Sequence, residues 1–157
     1  SPVGLLTLVA DGPTLVGCYF DNDARPPDAA TLGTLDPHAN TLAEAASQLG
    51  EYFAGERTTF DLELGPQGTD FQRQAWEALR TIPYAATWSY AQQAAAIGRP
   101  TATRAVGTAN GRNPICIIVP CHRVVGSTGA LTGFGGGLDR KRWLLDHEAR
   151  TAGHQLT

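Results

Sequence analysis

Methionine is missing from the chain altogether, even from its first position, so the native start is expected to lie upstream of Ser1. Cysteine is scarce: three residues, at 18, 116 and 121, are too few and oddly numbered for a disulfide scaffold. A reducing compartment, the cytoplasm, is therefore expected. No apolar run approaches the ~20 residues a membrane helix needs, and no basic-then-apolar stretch reads as a signal peptide. No membrane partner is expected. No Cys-x-x-Cys pair exists, and Cys18 with His38 is a weak couple, so no metal site is expected.

The most informative shortage is of negative charge. Between Glu77 and Asp139 there is no carboxylate, while Arg80, Arg99, Arg104, Arg112 and Arg123 all fall there. Residues 1–77 set twelve carboxylates against Arg25, Arg57 and Arg73, a net −9. Residues 78–157 set nine bases against Asp139, Asp146 and Glu148, a net +6. An overall charge of −3 hides this division. Eight of the nine bases are arginine, the side chain better suited to phosphate and base contacts. A polyanion facing the second half, nucleic acid above all, is the partner such an asymmetry implies.

What is present reads as an α+β chain of 157 residues, 42% apolar and 17% charged, long enough for one domain or two small ones. Residues 4–10 and 14–20 flank Asp11-Gly12-Pro13, a hairpin signal. Residues 21–37 read as loop. From Asn40 a helical stripe of Leu42, Ala45, Ala46, Leu49, Tyr52 and Phe53 runs towards Gly55. Phe60, Leu62 and Leu64 alternate with Asp61 and Glu63 as a short half-buried strand. Gly65-Pro66-Gln67-Gly68 reads as a linker, dividing the chain into residues 1–65 and 66–157.

Thr69 caps a helix carrying Phe71, Ala75, Trp76 and Leu79, which Pro83 ends. Ser89 caps a second, with Tyr90, Ala94 and Ile97. Gly98-Arg99-Pro100 breaks it, and Thr101 starts a third that packs through Ala102, Ala105, Val106 and Ala109. Two short helices around a glycine-containing turn form a helix-turn-helix candidate. Ile115 to Val119 reads as a buried strand or extended segment. Val124-Val125 and Ala130-Leu131-Thr132 flank Gly126-Ser127-Thr128-Gly129, a second hairpin able to serve as a wing. Gly133, Gly135, Gly136 and Gly137 around Phe134 read as a loop, and Leu138 to Ala149 as an amphipathic helix.

Cys121-His122 is the sharpest chemical feature. A cysteine must become a thiolate to attack carbon, and an imidazole nearby can take its proton. Adjacent residues do not automatically face each other, so a bridging water or a backbone kink is required. Glu148 can hold His122 through a second hydrogen bond. Cys18 and Cys116 read as small buried hydrophobes, and His147 and His154 as surface residues.

Pro120-Cys121-His122-Arg123-Val124-Val125 resembles the active-site motif of the O6-alkylguanine-DNA alkyltransferases. Ser89-Tyr90, Arg104-Ala105-Val106-Gly107, Gly111-Arg112-Asn113-Pro114 and Trp143 to Glu148 are similar to landmarks of that family, in the family's order. Ser1-Pro2-Val3-Gly4 and Tyr52-Phe53-Ala54-Gly55 look like bacterial members. The resemblance spans essentially the whole chain.

It implies a small N-terminal α/β, ribonuclease H-like domain over 1–65. A helical, winged helix-turn-helix domain carrying the cysteine follows over 66–157. It also implies irreversible transfer of the alkyl group of O6-alkylguanine, and of O4-alkylthymine, in duplex DNA to Cys121, with the nucleotide flipped into a pocket and no cofactor. By resemblance, His122 and Glu148 activate Cys121 through water, and Asn113 is the hinge of the active-site loop. Arg104 is the finger that enters the stack from the minor groove. Tyr90 pushes the 3′ phosphate and can donate to the base. Thr101, Ala102, Gly107, Asn110, Arg112 and Ser127 complete the expected DNA-facing set. Tyr90, Val124, Phe134, Gly135 and Gly136 line the expected pocket. Small residues along the third helix suit a minor groove only ~6 Å wide.

Phe134 stands where many relatives carry tyrosine, so substrate is expected to bind through stacking and backbone groups. Ala85-Ala86 and Ala91 replace residues common at those positions, so a different loop before Tyr90 is expected. The partner is double-stranded DNA containing alkylated bases; a monomer is expected in solution, with cooperative assembly on DNA open. Three other readings compete: a non-catalytic lesion binder, which lacks the cysteine; a winged-helix regulator, which prefers one operator; and a cysteine hydrolase, which turns over and ignores DNA.

Overall fold

The computed structural model describes residues 1–21, 40–129, 134 and 136–155. The loop expected over 21–37, His38, Ala130 to Thr132 and Gly135 lie wholly or largely outside the described residues. Leu6–Asp11 (β1) and Thr14–Phe20 (β2) pair antiparallel, with Asp11 opposite Thr14. Gly12 takes the φ of +60° that so tight a reversal needs. A register shift between Val9 and Ala10 bends the ribbon.

Asn40–Phe53 (α1) packs on the hairpin and buries Ala45, Gln48, Leu49 and Tyr52. Its stripe departs from the expected one, because Ala46 is exposed and Gln48 is buried. The Gln48 amide explains a second departure. It accepts from Asp61 N–H at 2.9 Å and donates to Asp61 O at 3.0 Å, supplying the partner a neighbouring strand would have provided. Residues 60–64 alternate in burial as expected, but their backbone meets the hairpin at Leu15, which donates to Glu63 O and accepts from Gly65 N–H, and Thr14 Oγ1 donates to the Glu63 carboxylate at 2.6 Å.

Asp70–Leu79 (α2) and Tyr90–Ala96 (α3) each begin with a reciprocal capping box, Thr69 with Gln72 and Ser89 with Gln92. Thr103–Gly111 (α4) starts two residues later than expected from Thr101, with Ala102 as its uncapped N-terminal neighbour. It packs through Val106, Ala109 and Asn110; Ala105, expected on that side, is exposed. These three helices share a small core of Ala75, Ala94, Val106 and Ala109. Polar contacts reinforce it: the Gln93 and Asn110 amides donate to each other at 2.8 and 2.7 Å, and Gln93 also donates to Ala75 O. Trp76 Nε1–H reaches Ala109 O at 2.8 Å.

Ile115 to Val119 is fully buried but is a chain of tight turns rather than a strand. Asn113 is the reason, since its side chain accepts from Ile115 N–H and donates to Val119 O, folding the segment over itself. Ile117 sits at φ +70°, a costly conformation for a β-branched residue that the surrounding packing enforces. A single 3₁₀ turn, Cys121–Arg123, follows. Trp88–Ser89 (β3) then pairs parallel with Val124–Val125 (β4). That parallel partner differs from the hairpin expected after Val125, whose second arm lies outside the described residues.

Leu138–Gln155 (α5) closes the fold, extending past the Ala149 end expected. Arg140 on its first turns donates to Val3 O, Asp21 O and Gly136 O and pairs with the Asp21 carboxylate. One apolar core runs from Leu15, Cys18 and Tyr52 through Ile115 to Val119 into Leu144, so both halves of the chain share it. No helix among the described residues is long and apolar enough to cross a membrane.

Candidate active site

On α5, Lys141, Leu144, His147 and Glu148 are buried, spaced so that they share one face. That face is mostly polar, and it meets the 3₁₀ turn carrying Cys121, His122 and Arg123. Glu148 is completely buried and accepts five hydrogen bonds. His122 Nε2 donates at 2.6 Å, Tyr52 Oη at 2.7 Å and Ala85 N–H at 3.2 Å. Arg123 adds a fork, Nε at 2.8 Å and Nη2 at 3.1 Å, while its Nη1 donates to Ile82 O.

The charge state follows from this arrangement. Burial acts to raise the Glu148 carboxyl, but His122 and Arg123 outweigh it and hold the group well below the usual carboxylate range. Burial pulls the His122 imidazole below its usual value, against the pull of Glu148. Arg123 and Glu148 are then the ion pair, and His122 is neutral with its proton on Nε2. That leaves Nδ1 as a bare acceptor, buried and with no hydrogen-bond partner among the described residues. Burial also pushes the Tyr52 hydroxyl up, reinforced by Glu148, so Tyr52 stays a donor.

Cys121 is 8% exposed and Lys141 1%. Burial lowers the Lys141 ammonium, and the charge of Cys121 works to raise it, so the two groups share one electrostatic environment. A thiol beside a buried cation and one residue from a neutral imidazole is set up to act as a nucleophile.

The other predicted residues fall into distinct places. Arg104, Thr101 and Arg112 are exposed on or beside α4, and Ser127 is exposed in the Gly126–Gly129 turn. Gly107 lies against Tyr90, where a Cβ would stand 3.6 Å from the ring. Ala102 and Tyr90 are half-buried. Phe134 stacks edge-on against Phe20 at 5.6 Å, and a side chain at Gly136 would collide with both rings. Asn113 clamps the turn ahead of Cys121, as described above.

Four expectations need correcting. The Asn110 amide is turned inward onto Gln93 rather than outward to DNA. Val124 has no exposed surface and pairs with Trp88, so its side chain fills core rather than pocket. Arg123, counted among bases facing a polyanion, is neutralised internally by Glu148. His147, read as a surface residue, is buried, donates to Tyr52 O at 2.7 Å and stacks on Trp143. Tyr52, Ala85 and Lys141 were not anticipated as parts of the site. Only the spacing of Lys141 seven residues before Glu148, on one helical face, could have hinted at any of them.

Two family profiles match the chain. Residues 1–66 match the ribonuclease-like domain of 6-O-methylguanine DNA methyltransferase, and residues 70–150 match its DNA-binding domain. The chain belongs to the 6-O-methylguanine DNA methyltransferase family. A methylated-DNA–protein-cysteine methyltransferase of Mycolicibacterium paratuberculosis is 53% identical over 157 residues, covering all of this chain and 93% of that protein. The relative of the same name from Mycobacterium tuberculosis H37Rv is 52% identical over the same span. The crystal structure of Mycobacterium tuberculosis OGT in complex with DNA superposes with a TM-score of 0.89 at 52% identity, covering 96% of this chain and 90% of that one. The family's mixed α/β architecture, a ribonuclease-like part followed by a DNA-binding part, is therefore that of this chain.

Proposed function

We propose that this family member repairs DNA by direct reversal, taking the alkyl group from O6 of guanine, and from O4 of thymine, onto Cys121 Sγ. The observation that carries the proposal is the convergence of Cys121, neutral His122 and ionised Glu148 at the junction of the 3₁₀ turn and α5. The Cys121 proton passes through water to His122 Nδ1. Glu148 stabilises the imidazolium so formed, and Arg123 keeps Glu148 ionised. Lys141 favours the thiolate by proximity. The new S–C bond forms as the C–O6 bond breaks, and guanine leaves with its electron pair and takes a proton. A thioether has no ready leaving path, so each molecule acts once and no cofactor is needed.

The target must leave the stack, at a cost of a few kcal/mol. In this proposal α3 and α4 are the helix-turn-helix of a winged domain spanning 66–157, with 1–65 as the ribonuclease H-like part packed against it. The exposed small face of α4 enters the minor groove, Arg104 fills the vacated stack and Tyr90 helps rotate the nucleotide. Duplex DNA carrying alkylated bases is the partner, with a monomer in solution and the cytoplasm as its place of action.

Intact-mass measurement after mixing with duplex DNA containing one O6-methylguanine tests this. One methyl group per molecule, mapped to Cys121 and absent from Cys121→Ser, is expected. Tight lesion binding without an adduct would make the chain a recruiter. Neither binding nor adduct would leave the hydrolase reading.

A further inference from the structure

Cys18 and Cys116 lie outside the chemistry above, yet their thiols face each other. Cys18 is on β2 and Cys116 is in the turn segment five residues before Cys121. Their sulfurs are 3.6 Å apart, and both residues are buried and reduced. The backbone fixes this approach from both sides. Cys18 N–H donates to Pro114 O at 2.8 Å, and Cys116 N–H donates to Cys18 O at 3.0 Å. Cys18 is also bridged to Ile115 as a parallel neighbour. Cys116 is the residue next to that bridge, so the two cysteines flank one point of backbone contact. Closing from 3.6 Å to a bond of ~2.05 Å brings the two sulfurs about 1.5 Å nearer.

We propose that Cys18 and Cys116 are an oxidation site, at which hydrogen peroxide converts the pair to a disulfide tying β2 to the active-site segment. One thiol attacks the peroxide oxygen, breaking the O–O bond to give a sulfenic acid and water. The second thiol displaces a further water and forms the S–S bond. Two thiols thus lose two electrons and two protons, and one peroxide becomes two waters. Cys116, with a few per cent of its surface open, is the entry point; Cys18 has none. The link closes a separation of 98 residues and joins the two halves of the chain across their shared core. It also leaves Cys121 outside the bond, so a molecule carrying the link still presents the alkyl acceptor.

Hydrogen peroxide treatment of the whole chain and of Cys121→Ser, followed by blocking of residual thiols and non-reducing peptide mapping, tests the proposal. A Cys18–Cys116 cross-linked peptide is expected in both, with loss of two hydrogens and reversal by dithiothreitol. The oxidised protein should unfold on the order of 5 °C or more higher than the reduced one, because so long a loop is closed. Cys18→Ala and Cys116→Ala should each abolish the link and the shift, while Cys18→Ala keeps alkyl transfer. Recovery of both thiols unlinked from Cys121→Ser, their separate conversion to sulfinic acids, or a Cys116–Cys121 link in the whole chain would each overturn the proposal.

Discussion

Around Cys121, His122, Arg123, Lys141, Glu148 and Tyr52 are polar or charged and yet almost wholly removed from water. One helix away, Arg104, Ala105 and Thr108 stand in solvent on α4. On the buried side, charge has been assembled at a desolvation cost, and Glu148 survives there because five donors converge on it. On the exposed side no such cost is met, and the backbone is kept slim by Ala105 and Gly107. The contrast separates two jobs that share one short stretch of chain. Groups that act on one another around Cys121 are enclosed in the interior, and groups that the proposed function turns towards DNA are left outside.

Glu148→Ala should give the largest effect, because it strands the Arg123 guanidinium in the core. Urea unfolding should show a loss of about 3–5 kcal/mol, and alkyl transfer should fail with it. Failure of transfer at unchanged stability would break the contrast. Acid should act on the same groups. His122 is held below its unfolded value of ~6.5 and Glu148 below its unfolded value of ~4.3. In both cases the unfolded chain binds protons first, so their stabilisation is complete above ~6.5 and drains away as pH falls below it. A stability maximum well below pH 6 would contradict this.

Lys141→Met keeps the packing but removes the cation beside Cys121. Transfer at neutral pH should slow by roughly tenfold or more, with the deficit shrinking as pH rises, since one nearby charge at an effective dielectric near 20 is worth a few kcal/mol. Stability should hold or rise, because a buried charge has gone. Arg104→Ala sharpens the other side of the contrast. Affinity for a lesion duplex should fall by about 1–3 kcal/mol, while the unfolding free energy changes by under ~0.5 kcal/mol. The smallest effect is expected from Ala85→Gly. Ala85 stands at φ +65° with its N–H on Glu148, and glycine there should stabilise by roughly 0.5–1 kcal/mol in thermal unfolding.

Local chemistry makes much of this legible in the sequence. Asp11-Gly12 announced the hairpin, and Thr69 and Ser89 announced two helix starts. Each signal acts over a few residues. What stayed hidden depends on partners far along the chain. Tyr52 reaches Glu148 across 96 residues, and Gln48 replaces a strand that residues 60–64 lack. Apolar Ile115 to Val119 looked extended because hydrophobicity reports burial and not shape; the two bonds of Asn113 decide its shape. His147 looked like surface because polarity argued outward, while α5 periodicity places it with Leu144 and Glu148.

The paired amides of Gln93 and Asn110 have a mechanical consequence. With Ala75 O as third member they pin α2, α3 and α4 to one another, and a helix pinned at both neighbours has no hinge of its own. In the proposed function α4 therefore meets a duplex at an angle settled during folding. Deformation on contact must then be borne by the softer body, the DNA, and the protein surrenders little entropy when the two meet.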